Sequence, residues 1–141
     1  MHNNPVIIVT GASRGIGSFA ARWLGKAGVG VVLIARSSEA LNEVAGDVKR
    51  LGGAPMVFAA DVSNPEACRL AVEKTLEQFG RIDALVNNAG IVQPIAPIAQ
   101  AAPREWPKAP FIEDSEGNGC SENRVLTAFA SARSLSIVPV P

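Results

Sequence analysis

Three glycines lie within seven residues near the start of the chain, in the segment VTGASRGIG at residues 9–17. Glycines at this spacing allow a tight turn at Gly11, a close approach of the backbone to a ligand at Gly15, and close packing of a following helix at Gly17. The N–H groups and the positive dipole end of that helix would face a bound phosphate. The segment predicts a nucleotide phosphate site; three ordinary turn glycines are the alternative.

The sequence on either side of the glycines favours the phosphate site. A β-branched run at residues 6–9 is typical of a parallel strand buried on both faces. After Gly15, apolar residues recur at helical spacing until Gly28, which is suited to end a helix. These residues are Ile16, Phe19, Ala20, Trp23, Leu24 and Ala27. A strand, a glycine turn and a helix in this order are the context that a phosphate-binding turn requires.

The next part of the chain continues the alternation of strands and helices. Apolar runs predict strands at 31–35, 56–60 and 83–87. A helix capped by Ser37 or Ser38 would bury Leu41, Val44, Val48 and Leu51. A second helix, opened by Asn64 and Pro65 and closed by Gly80, would turn Leu70, Leu76 and Phe79 inward. This order predicts an α/β fold, a Rossmann-like doubly wound parallel sheet truncated after about four strands, with an irregular C-terminal tail.

The composition argues against several classes of partner. Thirteen basic residues balance thirteen acidic ones, so no net charge would attract nucleic acid or an anionic membrane. The cysteines Cys68 and Cys120 and the single His2 have no metal-ligand spacing, which predicts no metal site. The N-terminal sequence has no signal-peptide pattern and no apolar run reaches membrane-span length, so the expected location is cytoplasmic.

Three motifs together resemble the N-terminal half of the short-chain dehydrogenase/reductase family. They are TGASRGIG at 10–17, DV at 61–62 and NNAG at 87–90, in that order and spacing, within a similarity that runs from about residue 6 to about 109. The resemblance implies a Rossmann fold, a nicotinamide dinucleotide, and hydride transfer to or from a small carbonyl or alcohol. It also implies that Asp61 accepts a hydrogen bond from the adenine amino group and that residues 87–90 line the cofactor and brace the sheet. A turn cap is the alternative role of Asp61.

The end of the second strand favours NADP over NAD. An NAD site places a carboxylate there for the ribose 2′-hydroxyl, whereas a 2′-phosphate requires a cation. This chain has Ala35 and then Arg36, with Arg14 in the glycine loop and Glu39 as the only nearby acid. Solvated surface charges are the alternative role of the two arginines. The predicted cofactor-binding residues are Gly11, Ser13, Arg14, Gly15, Ile16, Gly17, Arg36, Asp61, Val62, Asn88, Ala89 and Gly90.

The family pattern is not continued after Trp106. Family members carry a catalytic Ser and a Tyr-x-x-x-Lys in their second half, but this chain contains no tyrosine. The Tyr is the general acid or base toward the carbonyl oxygen, so no catalytic residue is assigned here. The expected organisation is an incomplete NAD(P)-binding domain at 1–109 and an atypical, irregular tail at 110–141. An evolved alternative C-terminus and a change of reading frame both remain open for this tail.

Two classes of function remain at this point. The chain is either an NADPH-dependent reductase of a small carbonyl compound with impaired catalysis, or a non-catalytic dinucleotide-binding fragment or interaction module. The second class includes self-association through the sheet edge left open beyond the fourth strand.

Overall fold

A computed structural model of the chain describes residues 4–90, which form a four-stranded sheet and three helices. In chain order the elements are β1 (Val6–Thr10), α1 (Gly15–Lys26), β2 (Gly30–Ala35), α2 (Ser38–Arg50), β3 (Ala54–Ala59), α3 (Pro65–Phe79) and β4 (Ala84–Val86). All neighbouring strands are parallel, in the order β3-β2-β1-β4. The predicted Rossmann-like sheet is confirmed. The predicted tail at 110–141 lies outside the described residues.

The position of each strand in the sheet follows from its sequence. β1 and β2 occupy the centre, and their β-branched residues are almost all buried because helices cover both faces. β3 forms one edge and begins at Ala54, two residues earlier than the predicted start at 56. It includes Pro55, which has no N–H to donate and is tolerated on an edge strand. β4 forms the other edge and is only three residues long.

The helices cover the two faces of the sheet unequally. On one face, α1 and α2 pack against Val9, Val31 and Leu33. On the other face, α3 packs against Val6, Ile8, Val32 and Ile34 through Ala71, Val72 and Phe79. The sequence patterns placed α3 correctly but misjudged Leu70, which is 41% exposed. The buried face of α3 is instead formed by Cys68, Ala71, Val72, Thr75 and Phe79.

The buried face of α1 also differs from the one that its large apolar residues suggested. Ile16, Phe19 and Trp23 are exposed, and the helix buries Gly17, Ser18, Ala21 and Gly25 instead. Small residues are needed on that face because α1 lies close to its neighbours. A Cβ added to Gly25 would lie only 3.1 Å from the Cα of Val48 in α2. Leu51, also predicted to be buried, is 37% exposed because it follows the last turn of α2.

The predicted helix caps of α2 and α3 are confirmed. The Ser37 side chain accepts a hydrogen bond from the N–H of Ala40, and the Asn64 side chain accepts from Glu66 and Ala67. Gly80 ends α3 in the left-handed conformation that glycine adopts most readily. Within residues 4–90, none of the helices has the length and apolar character needed to cross a bilayer.

Candidate functional site

The predicted site residues lie at one edge of the sheet. The glycine loop follows β1, Arg36 follows β2, Asp61 follows β3 after a short gap, and Asn88 follows β4. Because all four strands are parallel, their carboxyl ends meet at the same edge. In open α/β sheets this edge, at the point where the strand order reverses, is where ligands bind. Here the order reverses between β1 and β4.

The glycine loop has backbone geometry that side chains would obstruct. Gly11 and Gly15 have φ angles of 64° and 56°, in the left-handed region. A Cβ on Gly17 would lie 2.3 Å from the carbonyl oxygen of Gly11, so the start of α1 can approach the loop only with glycine there. Apart from Gly15, its chain neighbours and the adjacent helix backbone, no described residue has a heavy atom within 4 Å of the corresponding Cβ position. The loop therefore leaves open space beside the backbone of Gly15, where a ligand group would fit.

The first turn of α1 differs from those of the other helices in having no side-chain cap. Its N-cap residue, Arg14, makes no capping hydrogen bond and its first turn has no acidic residue. By contrast, α2 and α3 are both capped by a side chain and carry an acidic residue in the first turn. Among residues 4–90, the N–H groups at the start of α1 thus have no side-chain acceptor. This helix end is suited to a bound anion.

Asn88 connects the end of β4 to the glycine loop. Its side-chain amide lies 3.2 Å from both the Thr10 and the Gly11 carbonyl oxygens and donates to them. Its backbone N–H and that of Ala89 donate to Thr10 Oγ1, at 3.1 and 3.0 Å. The Thr10 hydroxyl in turn donates to the Val86 carbonyl at 3.4 Å. Five hydrogen bonds therefore fix the end of β1 and the first residue of the glycine loop to the end of β4 and the two residues 88–89 that follow it.

Thr10 is a positioning residue that the sequence analysis did not single out. It is buried at the end of an otherwise aliphatic strand, and its hydroxyl serves two N–H donors. A buried hydroxyl requires such partners. The signal in the sequence was a hydroxyl residue directly after the apolar run and directly before the first glycine.

Arg36 and Asp61 form a charged group at the ends of β2 and β3. Both are exposed. The backbone N–H of Ser63, which donates to Asp61 at 2.9 Å, is the main cause that lowers the Asp61 pKa, and the nearby positive charge of Arg36 lowers it further. Asp61 thus makes the turn contact that was the alternative to adenine binding. Val62, predicted beside it, packs its side chain against the core on the α3 face.

The structure brings some of the predicted residues together and leaves others separate. Gly11, Gly17, Asn88 and Ala89 form one compact cluster. Ser13 is half-buried in the loop. Arg14, Gly15, Ile16 and Gly90 are exposed. In the described part of the chain no group of acidic, histidine or cysteine side chains has the arrangement of a metal site.

Comparison with known proteins adds independent information on this region. The sequence pattern of a family described as short chain dehydrogenase matches residues 5–110. A curated relative, 11-beta-hydroxysteroid dehydrogenase A of Sesamum indicum, is 48% identical over 88 residues, which are 62% of this chain and 25% of the relative. The chain therefore spans about a quarter of the length of that relative.

Solved structures are similar over a larger share of the chain. A metagenomic short-chain oxidoreductase in complex with NADP has a TM-score of 0.71 and 34% identity, covering 94% of this chain and 60% of the other. An NAD⁺-bound xylitol dehydrogenase has a TM-score of 0.76 and 29% identity, covering 90% of this chain and 47% of the other. The neighbours thus include both an NADP-bound and an NAD-bound protein.

Proposed function

The chain belongs to the short-chain dehydrogenase/reductase family of oxidoreductases, and from this premise we propose that it binds a nicotinamide dinucleotide at the carboxyl edge of its sheet. The observation that carries this proposal is the glycine loop fixed by Asn88 in front of the uncapped N-terminus of α1. The backbone N–H groups of this turn would hold the pyrophosphate, and Gly15 leaves room for it. The bound nicotinamide supplies the hydride-transfer chemistry of the family.

We further propose that the preferred dinucleotide is NADP. The β2 strand ends without a carboxylate, and the exposed Arg36 follows immediately. A guanidinium is suited to a 2′-phosphate, because it offers several N–H donors and a permanent charge. Asp61 lies close enough to Arg36 for the two charges to interact, which would keep the guanidinium near the ends of β2 and β3.

Replacing Arg36 by Glu tests this preference. We expect NADPH to bind the parent chain more tightly than NADH, and Arg36→Glu to reduce that difference by about 1 to 3 kcal/mol, the range of hydrogen bonds to charged groups. Fluorescence titration with each dinucleotide measures both affinities.

A matched control is Lys49→Glu, which makes the same charge change at the other end of α2. Lys49 lies eleven residues after the first residue of this helix, which places it about 16 Å from the helix start. The control should leave the NADPH to NADH ratio unchanged. Equal affinities in the parent chain would contradict the NADP assignment but not dinucleotide binding, which fails only if neither dinucleotide binds.

From its membership of the family we propose that the activity of the chain is NADPH-dependent reduction of a small carbonyl compound, with catalysis impaired. The motif Tyr-x-x-x-Lys has no counterpart because the chain contains no tyrosine. We propose residues 1–109 as the incomplete dinucleotide-binding domain, residues 110–141 as an atypical tail, and a cytoplasmic location. We also propose that the predicted cofactor-binding residues contact the dinucleotide.

A non-catalytic interaction module is the second candidate function, and one observation favours it. β4 pairs with β1 on one side, and within residues 4–90 no strand pairs with its other side. Its residues are only partly buried. An open edge with apolar side chains can pair with a second copy of the chain.

A further inference from the structure

Two exposed aromatic residues form a ridge on the outer side of α1. Phe19 and Trp23 are 70% and 63% exposed. Each lies two residues from the buried Ala21 and therefore about 160° around the helix from it, so both side chains project away from the sheet. Ile16 is exposed as well, but it directly follows Gly15 and is one of the residues proposed to contact the cofactor. Adjacent exposed aromatic side chains are typical of interaction surfaces.

The carboxyl ends of α1 and α2 place basic residues next to this ridge. A Cβ added to Gly25 would lie 3.1 Å from the Cα of Val48, so the last turns of the two helices lie side by side. The basic residues at these helix ends are Arg22 and Lys26 of α1 and Lys49 and Arg50 of α2. We call these four residues, together with Phe19 and Trp23, the aromatic–basic surface.

The aromatic–basic surface has an excess of positive charge. Its four basic residues are accompanied by one acid, Asp47, which pairs with Arg22 at 2.7 Å and also with Arg50. Lys26 and Lys49 are exposed, and neither forms an ion pair within residues 4–90. The equal numbers of acidic and basic residues in the whole chain thus do not apply to this surface. The other acids of the two helices lie in the first half of α2, at Glu39 and Glu43.

We propose that the aromatic–basic surface binds the surface of an anionic phospholipid bilayer. Phe19 and Trp23 enter the headgroup region, where aromatic side chains are favoured, and Lys26 and Lys49 face the anionic headgroups. Burial of apolar side chains and attraction to anionic lipids both contribute to binding of this kind. This binding is separate from the proposed function, because none of these residues is among those proposed to contact the dinucleotide.

Shape and charge favour a lipid surface over a second copy of the chain. A ridge can enter the soft headgroup region, whereas a protein partner must offer a complementary groove to match it. Two aromatic–basic surfaces facing each other would bring positive charge against positive charge, which opposes symmetric association.

Vesicle flotation with the full chain tests the proposal, since self-associated protein without lipid does not float. We expect binding to phosphatidylcholine vesicles that contain phosphatidylserine, and binding about twentyfold or more weaker without phosphatidylserine, because each basic residue contributes about a factor of five. Lys26→Glu with Lys49→Glu should weaken binding by a similar factor. Phe19→Ser with Trp23→Ser should weaken it by about tenfold or more, through the lost apolar burial.

The matched control is Leu70→Ser with Lys74→Glu, on the helix α3 that covers the opposite face of the sheet. It removes an exposed apolar side chain and a basic one, and it should leave vesicle binding within about twofold of the parent. The aromatic–basic variants change exposed side chains, so their urea denaturation and their NADPH titration should match those of the parent.

Trp23 emission locates the contact. Trp106→Phe leaves Trp23 as the only tryptophan of the full chain. In that background, vesicles containing phosphatidylserine should shift the emission to shorter wavelength and reduce acrylamide quenching by about threefold, as for a tryptophan in the headgroup region.

Three results would overturn the proposal. The first is equal flotation of the parent and the aromatic–basic variants, or Trp23 emission that vesicles leave unchanged. The second is protection of Trp23 without vesicles that increases with protein concentration, which would assign the surface to a second copy. The third is equal protection of Trp23 by soluble polyglutamate, which would assign the surface to an acidic protein.

Discussion

At the scale of single residues, the candidate site contains a glycine position where neighbouring atoms leave no space for a larger side chain. Gly17 packs against the Gly11 carbonyl, and the Asn88 amide occupies the remaining space beside both. The Thr10 hydroxyl, at the end of β1, accepts hydrogen bonds from the N–H groups of Asn88 and Ala89 in the same region. The Gly11 carbonyl is a backbone group, which cannot move aside as a flexible side chain can. The loop geometry and the start of α1 are therefore fixed together.

Gly17→Ala tests this coupling. The added methyl group would lie 2.3 Å from the Gly11 carbonyl oxygen, so the loop or the helix must shift. We expect a loss of about 1 to 3 kcal/mol in the free energy of unfolding, as for other overpacked sites. Because the displaced loop is the proposed phosphate site, we also expect NADPH affinity to fall by about tenfold or more. Urea denaturation and fluorescence titration measure the two effects.

Gly46→Ala is the matched control for this substitution. Gly46 lies inside α2, and apart from the nearby backbone of its own helix no described residue has a heavy atom within 4 Å of its Cβ position. Alanine is the better helix former, so stability should rise slightly and NADPH affinity should stay the same. Unchanged NADPH affinity in Gly17→Ala would remove the glycine loop from the proposed site.

At the scale of elements, Asp83 attaches the short edge strand β4 to the sheet. Its carboxylate accepts a hydrogen bond from the Val6 N–H at 2.7 Å, and its own N–H donates to the Val6 carbonyl at 2.8 Å. The hydrogen bond from Arg81 is the main cause that holds the Asp83 pKa below its ordinary value, and the Val6 N–H and the Arg81 charge lower it further. β4 has only three residues, so this anchor at its start adds substantially to the pairing with β1.

Asp83→Ala should therefore destabilise the chain in a pH-dependent way. At pH 7 we expect a loss of about 1 to 3 kcal/mol, because the buried Val6 N–H loses its acceptor. A carboxyl group whose pKa is lowered by folding stabilises the protein fully above its unfolded pKa of about 3.9, and less as the pH falls through the folded value. The difference between parent and variant should shrink below about pH 4. Urea denaturation at pH 7 and pH 3 measures it.

The control for this experiment is Glu77→Ala, which removes an exposed ion pair with Lys74 on α3. Exposed pairs contribute little to stability, so this variant should resemble the parent chain at both pH values. If Asp83→Ala lowers stability equally at pH 7 and pH 3, the ionised carboxylate is not the source of the effect.

At the scale of the whole molecule, the described residues form a sheet with unequal cover. Within residues 4–90, α1 and α2 cover one face and α3 alone lies on the other. β4 has an open outer side within residues 4–90, with Leu85 and Val86 only half-buried. The solved short-chain oxidoreductases that resemble this chain are longer, since it covers 60% of one and 47% of another. The open side of β4 and the sheet face covered by α3 alone within residues 4–90 both lead us to expect association with further copies of the chain.

Self-association is the first prediction at this scale. Freshly purified chain should scatter light as dimers or larger species at micromolar concentration, because the open edge of β4 can pair with another copy. A monodisperse monomer with a cooperative thermal transition would contradict the prediction.

The absence of turnover is the second prediction at this scale. NADPH oxidation with a panel of ketones, aldehydes and diketones should not exceed the rate without protein, since no residue matches the family's tyrosine proton donor. Absorbance at the NADPH band measures the rate. Turnover that purifies with the chain would contradict impaired catalysis and point to another proton donor.

The sequence by itself determined the order of elements, the parallel sheet and the glycine loop. Strands such as β1 carry uninterrupted β-branched residues, and Ser37, Asn64 and Gly80 mark helix ends through local hydrogen bonds and backbone angles. Local chemistry of this kind can be recognised without knowing what lies nearby in space. The family motifs added the predicted cofactor contacts at residues 61–62 and 87–90.

Only the tertiary structure decided which face of α1 is buried and what holds the glycine loop. Hydrophobic spacing placed Phe19 and Trp23 on a common face but could not show that close contact with α2 requires the small Gly25 on the buried side. The hydrogen bonds from Asn88 to the Thr10 and Gly11 carbonyls join residues almost eighty positions apart. Burial and hydrogen bonding across such distances depend on how the strands align, which periodicity along the chain does not encode.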